Sequence, residues 1–232
     1  MMNTDLLTAL ENESRALIAQ LDAHPKVRQL FEGTLDTEAY AHYLAQTYHY
    51  VRWTTPLLAL AGQRMVVQGR HPALASLLLH KAKEETGHER WLLADLRHLG
   101  WSSAAVERTP RGVAVEAYVA WNRFTSEAGS PTAFLGTAYV LEALSASRAG
   151  AAARNLVERG GIPGIHRAVT FLRGHGDADE GHVSELATLL GSLTDPGECE
   201  ALILSARMTR LLYPGLFEEP RSVAPALGAP RT

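Results

Sequence analysis

The chain has 232 residues, 46% of them hydrophobic, enough for one domain with a real core; a second full domain is not expected. The formal net charge is −3 and no basic run exceeds two residues, which argues against nucleic acid as a partner. One cysteine, Cys199, cannot form an internal disulfide, no apolar run is long enough to span a membrane, and the polar start Met1-Met-Asn-Thr-Asp5 is unlike a secretory signal, so a cytoplasmic protein is expected.

Thr4 or Asn3 caps a first helix whose apolar stripe is Leu6, Leu7, Leu10, Leu17, Ile18 and Leu21. His24-Pro25 ends it, because the residue before proline avoids the helical region. After a short connection from Phe31, Asp36 or Thr37 caps a long helix to about residue 67. That helix is rich in aromatics (Tyr40, Tyr43, Tyr48, Tyr50, Trp53), and Pro56 should kink it. One helix is expected from residue 72 to about 99, with Gly100 just past its end. Residues 108–111 read as a loop, 113–127 as helix, and 131 to about 158 as another. Gly160-Gly161 and Pro163-Gly164 break the chain before a helix that ends near Leu190. Asp195 caps a last helix to about residue 212. No strand alternation and no fixed repeat is present. The reading is an all-α bundle of seven or eight helices, one domain over residues 1–217, with 218–232 a poorly ordered tail of Pro, Ala and Gly.

The chemistry concentrates in residues 171–182. On a helix, His175, Asp179 and His182 lie at i, i+4 and i+7, on one face. Two imidazoles and a carboxylate together form half of a transition-metal site. The other half is offered upstream. Glu85 and His88 stand at i, i+3, with Glu84 as the alternative carboxylate at i, i+4. Glu-x-x-His is a pattern by which helical bundles hold metal pairs. Glu142 is the one acidic residue between Pro131 and Arg154, on an Ala/Leu helix where a buried carboxylate needs a partner. Each feature alone has a plain structural reading; the three in order on three helices favour ligands.

Three carboxylates and three imidazoles suit two iron or manganese ions better than one zinc, which takes four ligands and often thiolates. Two divalent cations against three carboxylates leave one positive charge, which favours an anionic substrate group or reduced dioxygen. Asp95, seven residues after His88, is expected beside the metal or in an ion pair, with ligation the lesser reading. Tyr139 and Tyr48 could contact metal or substrate, or simply pack in the core. Lys81 could anchor a substrate carboxylate or pair with Glu85. Gly174, Gly176 and Gly181 each cost a helix about 1 kcal/mol against alanine. Metal binding is therefore expected to supply part of that segment's folding free energy.

Glu85-x-x-His88, the lone Glu142, then His175-x-x-x-Asp179-x-x-His182 resembles the ligand pattern of the haem-oxygenase-like diiron oxidases. The resemblance covers roughly residues 20–212 and includes His24-Pro25, Gly33-Thr-Leu-Asp36 and Tyr48-His-Tyr50. It implies the compact fold shared by haem oxygenase, TenA-type thiaminases and the cofactorless oxidase of pyrroloquinoline quinone synthesis. It also implies two labile iron ions, with dioxygen as co-substrate, cleaving C–C bonds or oxidising amines. Some members place the first carboxylate seven residues before the histidine, where this chain has Lys81. Members that consume their own tyrosine carry it directly before the lone Glu, where this chain has Leu141. Cys199 lies beyond the motif, unlike the nucleophile of a thiaminase.

The expected function is an iron-dependent oxidase or oxygenase acting on a small carboxylate- or amine-bearing substrate, with an external electron donor if the chemistry needs one. The alternatives are a cofactor-free oxidase and a non-catalytic binding or regulatory protein on the same scaffold. Homodimerisation is open.

Overall fold

In the computed structural model, residues 3–176 and 180–218 are described, with the backbone alone for 180–182. Every regular element among them is helical.

Helix α1 (Thr4–Ala23) starts at Asn3, whose side chain accepts the Leu6 N–H at 3.1 Å. Such a cap contributes about 1 kcal/mol. Leu6, Leu10, Leu17 and Leu21 form its buried stripe, as the periodicity predicts. Helix α2 (Pro25–Glu32) fills what the sequence reads as a break plus a connection. Proline at its first position has no N–H to lose there. Helix α3 (Thr37–Val67) is capped by Asp36 and runs unbroken through Pro56. It is the central helix, packing against α4 (Pro72–Glu84), α5 (His88–His98) and α7 (Val113–Glu127).

The helix expected from residue 72 to 99 is two helices. Gly87 has φ +94°, in the left-handed region that glycine enters without strain, and it separates α4 from α5. Helix α6 (Ser103–Arg108), too short to show in the pattern, precedes α7.

The stretch from residue 131 to 159 is a composite. A 3₁₀ turn (Pro131–Ala133) leads into α8 (Phe134–Leu144), a π-helical stretch (Ser145–Ala149) and α9 (Gly150–Arg159). π-bulges often lie at functional sites, and this one packs against α10 (Thr170–Gly176). Of the motif helix, α10 and α11 (Glu180–Leu190) are described, with residues 177–179 between them outside the described residues. Helix α12 (Pro196–Leu212), capped by Asp195, crosses α1, α7 and α8, and ends in a 3₁₀ turn (Tyr213–Phe217).

One continuous core unites these helices, from Leu6 to Phe217. No described helix is long and apolar enough to cross a membrane. The tail at 219–232 lies outside the described residues.

Candidate metal centre

A cavity of about 500 Å³ lies between α3, α4, α8 and α10. Its body is apolar, with Phe31, Leu58, Leu141 and Leu172 among its walls. Lys81, Glu84, Glu85, His88, Glu142, Arg148 and His175 are its charged and imidazole lining.

The Gly87 turn sets the first pair. Glu85 ends α4 and His88 opens α5, so they face each other across a turn rather than along one helix. Their side chains meet, His88 Nδ1 to Glu85 Oε2, at 2.9 Å. His175 reaches the same place from α10, with Nε2 4.0 Å from Glu85 Oε2. Ligand atoms of these three residues lie within 4.8 Å of one another. Metal–ligand bonds of about 2.0–2.2 Å make that separation fit a single ion. Two imidazoles and one carboxylate are the donor set of non-haem iron(II) sites with open positions.

Aromatic contacts hold the imidazoles. Trp91 stacks on His88 with ring centroids 4.0 Å apart, and Phe171 packs on His175 at 4.2 Å. His175 Nδ1 hydrogen-bonds the Phe171 carbonyl at 2.9 Å, so Nδ1 carries the proton and Nε2 keeps its lone pair for a metal. Burial, partly offset by the Glu85 charge, lowers the His175 pKa and favours this neutral ligand form. Burial pushes the Glu85 carboxyl up, but the His88 hydrogen bond and the charges of His175, His88 and Lys81 outweigh it, so Glu85 is held ionised below the usual range.

Asp95 is fully buried and binds backbone, not metal. Its Oδ1 accepts the Thr170 N–H at 3.0 Å and its Oδ2 the Phe171 N–H at 2.9 Å. It thereby caps α10 from α5. Burial raises its pKa, opposed by those two hydrogen bonds.

The remaining candidates divide. Glu142 enters the cavity and accepts a hydrogen bond from Lys81 Nζ at 2.5 Å, so Lys81 pairs with Glu142 instead of Glu85. Glu84 turns to His80 at 3.1 Å, and the described cluster contains Glu85 in its place. Tyr139 does not line the cavity; it faces α1 beside Glu11, Ser14 and Ile18. At about 100° per residue, Phe134, Ala138, Leu141 and Ser145 share the cavity side of this helix, and Tyr139 falls about 100° from Ala138. Tyr48 is also elsewhere, its hydroxyl donating to Glu107. Burial first, then Glu107, pushes that hydroxyl up to about 12. Asp179 lies outside the described residues, as does the side chain of His182.

Sequence reasoning missed Trp91, three residues after His88 on the same helical face, a spacing that could have revealed it. It also missed that Tyr43 and Tyr50, seven residues apart, line the cavity with Tyr118 and Tyr213. Burial raises all four phenols, which remain neutral. Cys199 lies off the cavity, hydrogen-bonded to Asn3. Burial and the nearby carboxylates of Glu198 and Asp195 raise its thiol pKa, the opposite of nucleophile activation.

Fold and donor set together define a haem-oxygenase-like helical protein with a half-buried two-histidine, one-carboxylate cluster. The chain belongs to the iron-containing redox enzyme family, whose model matches residues 41–213. It is similar in structure to a domain of unknown function with a heme oxygenase-like fold from Shewanella denitrificans, at 21% identity and TM-score 0.76, covering 91% of this chain and 90% of that one. It is similar to a TenA homologue from P. horikoshii, at 20% identity and TM-score 0.68, covering 94% and 97%. It is also similar to heme oxygenase from Leptospira interrogans, at 21% identity and TM-score 0.63, covering 91% and 98%. No curated protein matches the chain.

Proposed function

We propose that this protein is an iron-dependent oxidase or oxygenase that uses dioxygen on a small organic substrate bound in the cavity. The observation that carries this reading is the convergence of Glu85, His88 and His175 at the wall of a largely apolar cavity. Bound iron would supply dioxygen activation, the chemistry associated with this donor set.

The chain's own groups have distinct tasks. Glu85 gives the anionic ligand, and the imidazoles of His88 and His175 complete the set. Phe171 and Trp91 fix ring orientation. The apolar walls hold the substrate body and exclude water, which strengthens the electrostatic interactions inside. The Lys81–Glu142 pair gives the cavity one buried polar group that can orient a carboxylate or amine on the substrate.

The test is anaerobic iron(II) loading, then oxygen, with fatty acids and amino acids screened as substrates. Iron uptake and substrate-accelerated oxygen consumption are expected, with both reduced in His175→Ala. Turnover without iron would establish the cofactor-free alternative. Absence of iron uptake and of turnover would leave a binding protein.

A further inference from the structure

Lys81 is a charged residue where an apolar cavity tolerates few. It is 6% exposed and sits one helical turn before Glu85, so both side chains leave α4 on the same face. Its ammonium meets Glu142 Oε1 at 2.5 Å, with the two side chains only 7% and 18% exposed. Glu142 is consequently absent from the described ligand cluster, although it lines the same cavity. A metal ion bound to Glu142 would have to displace the ammonium or stand beside it. Displacement would leave a buried cation unpaired, and adjacency would place like charges together in an apolar surround.

The charge count points the same way. Of the charged groups lining the cavity, Glu84 turns to His80 and Arg148 pairs with Asp22, which leaves Glu85 and Glu142 beside Lys81, a sum of −1. One divalent ion brings these three groups to +1, and a second would bring them to +3.

We infer that the Lys81 ammonium takes the place of a second metal cation, so that the centre holds one ion on Glu85, His88 and His175, with Glu142 kept beside it by Lys81. This rests on the iron-dependent reading and revises its expected two ions to one. Lys81 is then a determinant of nuclearity, and replacing it with a carboxylate creates the missing second site.

The experiment is an anaerobic titration with iron(II) and, separately, manganese(II), of the wild-type chain and Lys81→Glu. Bound metal is read by elemental analysis after dialysis, and electron paramagnetic resonance of the manganese form reads spin coupling. The expected result is one ion per wild-type chain with an uncoupled manganese spectrum. Lys81→Glu is expected to take two, with a coupled spectrum. Two coupled ions in the wild type, or a folded Lys81→Glu that still takes one, overturns the inference and leaves the iron-dependent reading standing. No uptake by either chain overturns both. Uptake by Lys81→Glu alone also overturns the inference, since the ammonium would then block the whole centre. If Lys81→Glu does not fold, the wild-type stoichiometry and spectrum decide.

Discussion

Asp95 Oδ2 accepts the backbone N–H of Phe171 at 2.9 Å, tying the helix that begins at His88 to the helix that carries His175. With the second bond, to Thr170, this carboxylate caps α10 from another element. Two of the proposed metal ligands are therefore registered by one buried acid. Asp95→Ala leaves the buried Phe171 N–H and the part-buried Thr170 N–H without this partner, and a loss of about 1–3 kcal/mol is expected. Urea unfolding measures it. Iron(II) affinity should fall as well, because His175 loses its anchor, and a titration on the folded fraction checks that.

Glu13 should contribute to acid sensitivity. Burial raises its pKa, but hydrogen bonds and charge from Arg210 and Arg207 outweigh that and lower it below the ordinary carboxylate value. Its bonds, 3.0 Å to Arg207 and 2.5 Å to Arg210, join α1 to α12. A carboxyl with a depressed folded-state pKa stabilises above its unfolded value and loses that contribution as pH falls through the folded one. Stability should therefore drop on acidification below the ordinary glutamate range, and Glu13→Gln should flatten that part of the profile. Thermal melts from neutral pH into acid would show it. At neutral pH the substitution should cost about 1–3 kcal/mol, the range for hydrogen bonds to charged groups.

How much of this was legible in the sequence depended on what each residue's effect rests on. The stripes of α1, α3 and α7 follow from side-chain period, and the Asn3, Asp36 and Asp195 caps are local, so both could be read directly. Breaks caused by one glycine inside an apolar pattern were not. The apolar stripe resumes after Gly87, so the pattern carries no sign of the break, and only the backbone shows φ +94°. Spacing singles out His88, His175 and either Glu84 or Glu85 as candidates, and the meeting of Glu85 with the two histidines depends on that turn. Tyr139 and Tyr48 pack in the core and do not line the cavity, a choice left open by spacing, which gives a shared helix face only coarsely. Asp95 capping α10 and Lys81 pairing with Glu142 are contacts 75 and 61 residues apart in the chain, which no local pattern encodes.

The glycines of the site should separate two physical causes. A Cβ on Gly87 meets nothing within 4 Å, so Gly87→Ala is a pure backbone strain at positive φ, expected to cost about 1–2 kcal/mol. A Cβ on Gly176 would meet Gly150 backbone, including its Cα at 2.5 Å, and backbone cannot step aside. A Cβ on Gly174 would lie 2.6 Å from the Trp91 ring, a side chain able to shift at the expense of its stack on His88. Gly176→Ala should therefore lower stability more than Gly87→Ala, and Gly174→Ala should chiefly weaken iron(II) binding. Paired denaturation and metal titration curves would distinguish the three. The helix-propensity cost of these glycines is thus the accompaniment of close packing by α10 on α5 and α9.

The cavity and the metal cluster should be separable by mutation. Leu141 lines the cavity one residue before Glu142, and it is not among the clustered ligands. A tryptophan there would occupy part of the roughly 500 Å³ space without removing any metal-binding atom. Half-buried, Leu141 borders open cavity, so the larger ring meets space before it meets packed core. Iron(II) stoichiometry should be unchanged in Leu141→Trp. Binding of an apolar fluorescent anion such as anilinonaphthalene sulfonate should weaken about tenfold, equivalent to about 1.4 kcal/mol. Any substrate-accelerated oxygen consumption should fall with it. Retained probe affinity together with normal iron uptake would mean that the substrate lies elsewhere than beside Leu141.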